Sequence, residues 1–185
     1  MDIAPYVGGE TDIEGVEEII KLSSNESALG PSPEASSTYA ALQGELHRYP
    51  DGDCTMLRQA ISHAHRVNAA GVVCGSGSDE LISLLCQAYV GPGGEVVFSQ
   101  HGFLMYPISA MAAGATPVSA PEKNLTANVD ALLAAVTDKT RIVFLANPNN
   151  PTGTYLTAGE VTRLHDGLPD DVLLVIDAAY AEYVE

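Results

Sequence analysis

Apolar positions recur in two rhythms along most of the chain. Cys54, Leu57, Ile61 and Ala64 fall at helical spacing and predict a helix over 53–66, just after the turn signal Asp51-Gly52. From residue 72, short apolar runs alternate with amphipathic stretches. Val72–Cys74, Glu95–Ser99, Thr116–Ser119, Arg141–Leu145 and Val172–Ile176 read as strands. The intervening helices are expected after Gly77, with Leu81, Leu84, Leu85 and Ala88 on one face, and over Phe103–Ala113, Asn128–Val136 and Thr157–Leu168. Strands without a polar face, each followed by a helix, predict βαβ units around a sheet buried on both sides. The expected fold class is α/β, a doubly wound three-layer αβα sandwich with a mostly parallel sheet. Residues 1–50 lack this rhythm. Gly8-Gly9, Gly30-Pro31-Ser32-Pro33 and Tyr49-Pro50 interrupt them, with one apolar stretch at Ile19–Leu22, so an irregular amino-terminal arm is expected.

Composition narrows the class further. The 185 residues carry 24 Asp and Glu against 8 Lys and Arg, a net charge of −16, and 46% are apolar. That apolar content excludes intrinsic disorder, and a chain of this length buries roughly 70% of its unfolded surface. The acidic excess repels phosphate backbones and anionic lipid, so no nucleic-acid partner and no membrane attachment are expected. No apolar run reaches the ~18 residues of a bilayer crossing. Met1–Pro5 has neither the basic nor the apolar region of a signal peptide. Cys54, Cys74 and Cys86 are odd in number and lack CxxC spacing, which fits a reducing cytoplasm. His63 and His65, two apart on a helix, diverge, so no metal site is expected.

Ligands of open α/β sheets bind beyond the carboxyl ends of the strands. Four such ends carry chemistry. Gly75-Ser76-Gly77-Ser78-Asp79-Glu80 combines glycines with a helix start, which serves either as a phosphate cradle or as an ordinary helix cap made by Ser76 or Ser78. It is neither a dinucleotide fingerprint nor a P-loop. Gln100 to Tyr106 brings aromatic rings. Asn147-Pro148-Asn149-Asn150-Pro151-Thr152-Gly153 is a rigid loop with three amides, more elaborate than a turn requires. Asp177 ends an apolar strand, so it needs a cationic partner or a place at the sheet rim, and Tyr180 follows three residues later. A single ligand satisfies all four segments: pyridoxal 5'-phosphate. Ser76, Gly77, Ser78 and Asp79 would receive its phosphate and Phe103 would stack on its ring. Asp177 would hold the ring-nitrogen proton, and Asn150 and Tyr180 would bond the phenolate.

These same segments resemble the fold-type-I aminotransferases of class I and II, and most closely their histidinol-phosphate branch. Further matches are Ala4-Pro5-Tyr6, Leu22-Ser23-Ser24-Asn25-Glu26 and Arg48-Tyr49-Pro50-Asp51-Gly52. Asn-Pro-Asn-Asn-Pro-Thr-Gly upstream of Asp-x-x-Tyr carries the resemblance. It implies amino transfer between glutamate and imidazole-acetol phosphate in histidine biosynthesis, with small amino-acid and keto-acid substrates, phosphorylated ones among them, as partners. Threonine-phosphate decarboxylation, another amino transfer and a non-catalytic binding fragment are the alternatives. The resemblance also implies a cytoplasmic homodimer, with Tyr49 reaching the cofactor phosphate of the partner subunit and Asn25 near the substrate. Residues 1–50 would be the arm and part of a small domain, and 51–185 the first part of the large domain. The family's Schiff-base lysine would lie beyond Glu185, since Lys21, Lys123 and Lys139 are all badly placed. No catalytic residue is therefore expected in this chain, which should be inactive and prone to associate through an incomplete sheet. His101 is expected in a loop or second-sphere role, and Glu17-Glu18 and Asp170-Asp171 on the solvated surface.

Overall fold

The computed structural model describes residue 3, residues 14–15 and residues 24–184. Ala4-Pro5-Tyr6, Gly8-Gly9, Glu17-Glu18, Ile19–Leu22, Lys21 and Ser23, singled out in the sequence, lie outside them. The chain divides into two compact units, Val7–Cys74 and Gly75–Glu185 with Met1–Tyr6.

In the first unit, the expectation of an arm without regular structure is corrected. Helix α1 spans Pro33–Ala41, and a 3-10 turn follows at Gln43–Glu45. Capping chemistry builds α1: Ser32 Oγ accepts the Ala35 N–H at 3.1 Å, and Pro33 and Glu34 suit the first turn. None of its residues is buried, which is why hydrophobic periodicity gave no sign of it. Helix α2, Thr55–His65, falls where its spacing placed it. Asp51 opens it by accepting the N–H groups of Thr55 (2.9 Å) and Asp53 (3.0 Å), which hold its carboxyl below the usual range. The strand expected at Val72–Cys74 is also corrected. The segment pairs with no strand among the described residues, and Val73 is 74% exposed. Apolar β-formers alone do not make a strand without a ladder partner.

The second unit holds the sheet. After α3 (Gly77–Tyr89) come β1 (Glu95–Ser99), α4 (Met105–Ala112), β2 (Thr116–Ala120), α5 (Val129–Ala134), β3 (Thr140–Ala146), α6 (Ala158–Gly167) and β4 (Leu173–Asp177). Among the described residues the strand order is β2-β1-β3-β4, all parallel. Alternation along β1 and β3 sorts the core into two layers. Val96, Phe98, Ile142 and Phe144 pack with Ile82, Cys86, Tyr106 and Ala110 of α3 and α4. Val97, Val143 and Leu145 pack with Val129, Leu132 and Leu164 of α5 and α6. Helices thus cover both faces, as the uninterrupted apolar strands predict. The inward face of α3 differs from the expected one: Ile82 and Cys86 are buried and Leu84 is exposed. Burial pushes the Cys86 thiol up to about 11. No helix is long and apolar enough to cross a membrane among the described residues.

This topology selects one crevice. The chain leaves β1 toward β2 through α4 on one face, then returns past β1 to β3 and β4 through α5 and α6 on the other. Right-handed crossovers in opposite directions open the sheet's carboxyl end between β1 and β3.

Candidate functional site

At that carboxyl end a cleft is lined by Ser78, Phe103, Ala146, Pro148, Asn150, Asp177, Ala179 and Tyr180. Five residues singled out in the sequence, from four separate segments, therefore meet in one place. Register explains why: Ala146 and Asp177 are ladder partners at the ends of β3 and β4, and the Asn147 N–H extends the ladder to the Asp177 carbonyl at 2.9 Å.

The three asparagines divide their roles. Asn147 Nδ2 donates to the Leu156 carbonyl at 3.1 Å, and its Oδ1 accepts the Leu156 N–H at 2.7 Å. Asn149, 5% exposed, donates through Nδ2 to the His101 carbonyl (3.0 Å) and to Thr152 Oγ1 (2.8 Å). Both amides brace the loop, the second tying it to the segment after β1. Asn150 is the amide on the cleft wall.

Of the two expected settings Asp177 takes the rim position, at the carboxyl end of β4, and its partner there is neutral. Tyr106 Oη donates to its Oδ2 at 2.8 Å, and the Ala179 N–H reaches Oδ1 at 3.2 Å. Among the described residues no Lys, Arg or His pairs with it. Asp177 thus sits at the end of β4, with its charge unneutralised and aimed at the cleft wall. Burial, then the charge and hydrogen bond of Asp177, push the Tyr106 phenol far above its ordinary range, so it remains a donor. Sequence reasoning gave Tyr106 no role. Its signal was weak, since a tyrosine on an apolar helix face reads as core.

The start of α3 settles differently from either expected cap. Gly77 takes φ +82°, a left-handed conformation suited to glycine, and Ser76 makes no side-chain cap. Glu80 Oε2 instead accepts the Ser76 N–H, and the Gly77 N–H bonds the Gly75 carbonyl. The N–H groups of Ser78 and Asp79 are then the first-turn donors at the positive end of the helix dipole, with Ser78 on the cleft. Asn25 and Tyr49 belong to the Val7–Cys74 unit. Asn25 has φ +53° and Tyr49 is fully exposed.

His101 proves to be a brace. Its ring Nδ1 lies 2.8 Å from Glu122 Oε2, and its backbone N–H donates to Oε1 at 2.9 Å. Asp171 makes a surface ion pair with Arg141 at 3.5 Å. No cluster able to hold a metal occurs among the described residues.

Comparison with known proteins follows the same lines. The family model for aminotransferase class I and II matches residues 17–185. The chain is 64% identical over 184 residues to the histidinol-phosphate aminotransferase of Rhodospirillum centenum, covering 100% of this chain and 51% of that protein. With its counterpart in Rhodospirillum rubrum it shares 61% over 185 residues, covering 100% of this chain and 50% of that one. The chain spans about half the length of these curated relatives. The crystal structure of histidinol-phosphate aminotransferase from Sinorhizobium meliloti in complex with pyridoxal-5'-phosphate superposes with a TM-score of 0.84. The two share 31% identity, over 88% of this chain and 44% of that one.

Proposed function

Because the chain belongs to the class I and II aminotransferases, we propose that its cleft holds pyridoxal 5'-phosphate for amino transfer between glutamate and imidazole-acetol phosphate. The observation that carries this reading is the convergence of Ser78, Phe103, Asn150, Asp177 and Tyr180 on one cleft. The naming of the relatives supports the choice of substrate.

The residues present fit the cofactor. Asp177 offers an un-neutralised carboxylate to a protonated ring nitrogen, beside the Phe103 ring. Asn150 and Tyr180 offer an amide and a hydroxyl to a phenolate. Ser78 and Asp79, with Ser76 and Gly77 shaping the turn, offer backbone donors to a phosphate at the start of α3. When bound, the cofactor supplies an electron sink for amino-acid chemistry. The chain's own part is to orient the ring, keep its nitrogen protonated and anchor its phosphate.

A covalent lysine is not offered by the described residues. Lys139 precedes β3 at the end opposite the cleft, about 20 Å away for a strand of this length. Lys123 closes a tight bridge with Thr126 and is exposed. Lys21 lies outside the described residues, and in line with the family resemblance we assign that role to a residue beyond Glu185. Tyr49 would reach the cofactor phosphate of a partner subunit and Asn25 the substrate, in a cytoplasmic homodimer. Residues 51–185 would form the first part of the large domain.

Protein expressed from the native gene and assayed with histidinol phosphate and 2-oxoglutarate should form glutamate. Release of carbon dioxide from threonine phosphate without glutamate formation would overturn the reading in favour of a decarboxylase.

A further inference from the structure

Tyr106 is 1% exposed and touches both groups that would grip the cofactor ring. Its ring lies parallel to Phe144, with centroids 4.7 Å apart and planes 1° apart, which fixes it to the centre of the sheet. Its edge meets Phe103 at 5.9 Å and 87°. Its hydroxyl donates to Asp177 Oδ2 at 2.8 Å. One side chain of α4 thus connects the residue on which a flat ring would stack with the carboxylate that would hold that ring's nitrogen.

The chemistry of this partner matters. An arginine or histidine bonded to Asp177 would neutralise the carboxylate and compete with a protonated ring nitrogen. A phenol orients one oxygen and leaves the charge in place. The Ala179 N–H fixes the other oxygen at 3.2 Å, so the carboxylate is held in one rotamer with lone-pair capacity left for a ligand.

We infer that Tyr106 is a positioning residue, which through its hydroxyl fixes the Asp177 carboxylate for a cationic ring nitrogen and through its ring edge sets the plane of Phe103. This rests on the reading of the cleft as a pyridoxal-phosphate site. Tyr106→Phe tests it, because the variant keeps the contacts with Phe144 and Phe103 and removes only the hydroxyl.

The probes are pyridoxamine 5'-phosphate, which has no aldehyde to react with surface lysines, and its carbocyclic analogue lacking the ring nitrogen. Binding to the 185-residue chain is followed by fluorescence titration, and folding of each variant by thermal melting. The wild-type chain should prefer the pyridine ligand. Tyr106→Phe should weaken that ligand about tenfold while leaving the carbocyclic one within about twofold, since one hydrogen bond to a charged group is removed. A structural defect would weaken both ligands alike, so equal losses, or no loss, overturn the inference. A wild-type chain that does not distinguish the two ligands overturns the reading of Asp177 and this inference with it. A preference that survives in Tyr106→Phe overturns the inference alone.

Discussion

Glu122 shows how a buried carboxylate can be used without a catalytic purpose. Its side chain is 3% exposed and that of its partner His101 43%. Burial works against its charge, but hydrogen bonds from the His101 ring and backbone, and from Ser99, outweigh that and hold the carboxyl below its ordinary value of 4.5. Because a depressed acid stabilises the fold only while ionised, its contribution is present above pH 4.5. It is lost as pH falls through the lower native value. Glu122→Gln should therefore cost on the order of 1 kcal/mol near neutrality. That difference should shrink as denaturant melts are taken to lower pH, and a difference constant with pH would show that the charge plays no part. Gly102, next in the chain to His101, is a second sensitive point. A Cβ there would meet the Ser99 carbonyl at 2.9 Å, so Gly102→Ala should lower stability by about 1 kcal/mol or more. It should also displace Phe103, weakening pyridoxamine-phosphate binding in the same titration. At this scale the sequence singled out residues that meet at one cleft, because Asp177, Asn150 and Phe103 are costly or unusual where they stand. It hid their supports. Tyr106, Asn149 and Glu122 act through partners 71, 48 and 21 positions away, and no local pattern records such pairings.

Among the elements, the loop from β3 to α6 is held at both ends. Asn147 and Asn149 brace its start, and Thr157 ends it with a capping box shared with Glu160. Thr157→Ala should cost about 1 kcal/mol in chemical denaturation and leave ligand binding unchanged, since it loosens only the helix start. Asn149→Ala should cost about 2 kcal/mol and also weaken binding, because it frees the loop carrying Asn150 from the segment carrying Phe103. If the two variants affected binding equally, the loop would not be what links those residues. Elements were legible where burial writes a period: β1, β3, α5 and α6 lie within a residue or two of their expected limits. They were illegible where it does not. Helix α1 buries nothing, Val72–Cys74 is apolar without a partner, and α3 turns Ile82 and Cys86 inward in place of Leu84.

At the scale of the whole molecule, two forces oppose each other. Among the described residues β4 is an edge strand, so one row of its N–H and C=O groups faces away from β3, and Ile176 at its end is 46% exposed. Such an edge favours pairing with another chain. Against it stands the net charge of −16, which makes two copies repel. The repulsion has a range of about 30 Å at 0.01 M salt and about 8 Å at 0.15 M. Edge pairing requires strands about 4.8 Å apart, where screening decides the balance. The 185-residue chain should therefore be mostly monomeric in dilute buffer and associate as salt is raised, the reverse of an assembly held by ion pairs. Ile176→Glu, which adds negative charge to the edge, should shift the onset to higher salt without lowering the melting temperature appreciably. Sedimentation velocity across a salt series checks this. A single monomeric boundary at every ionic strength would mean that the β4 edge is already protected, and that the apolar edge does not govern the chain's behaviour in solution.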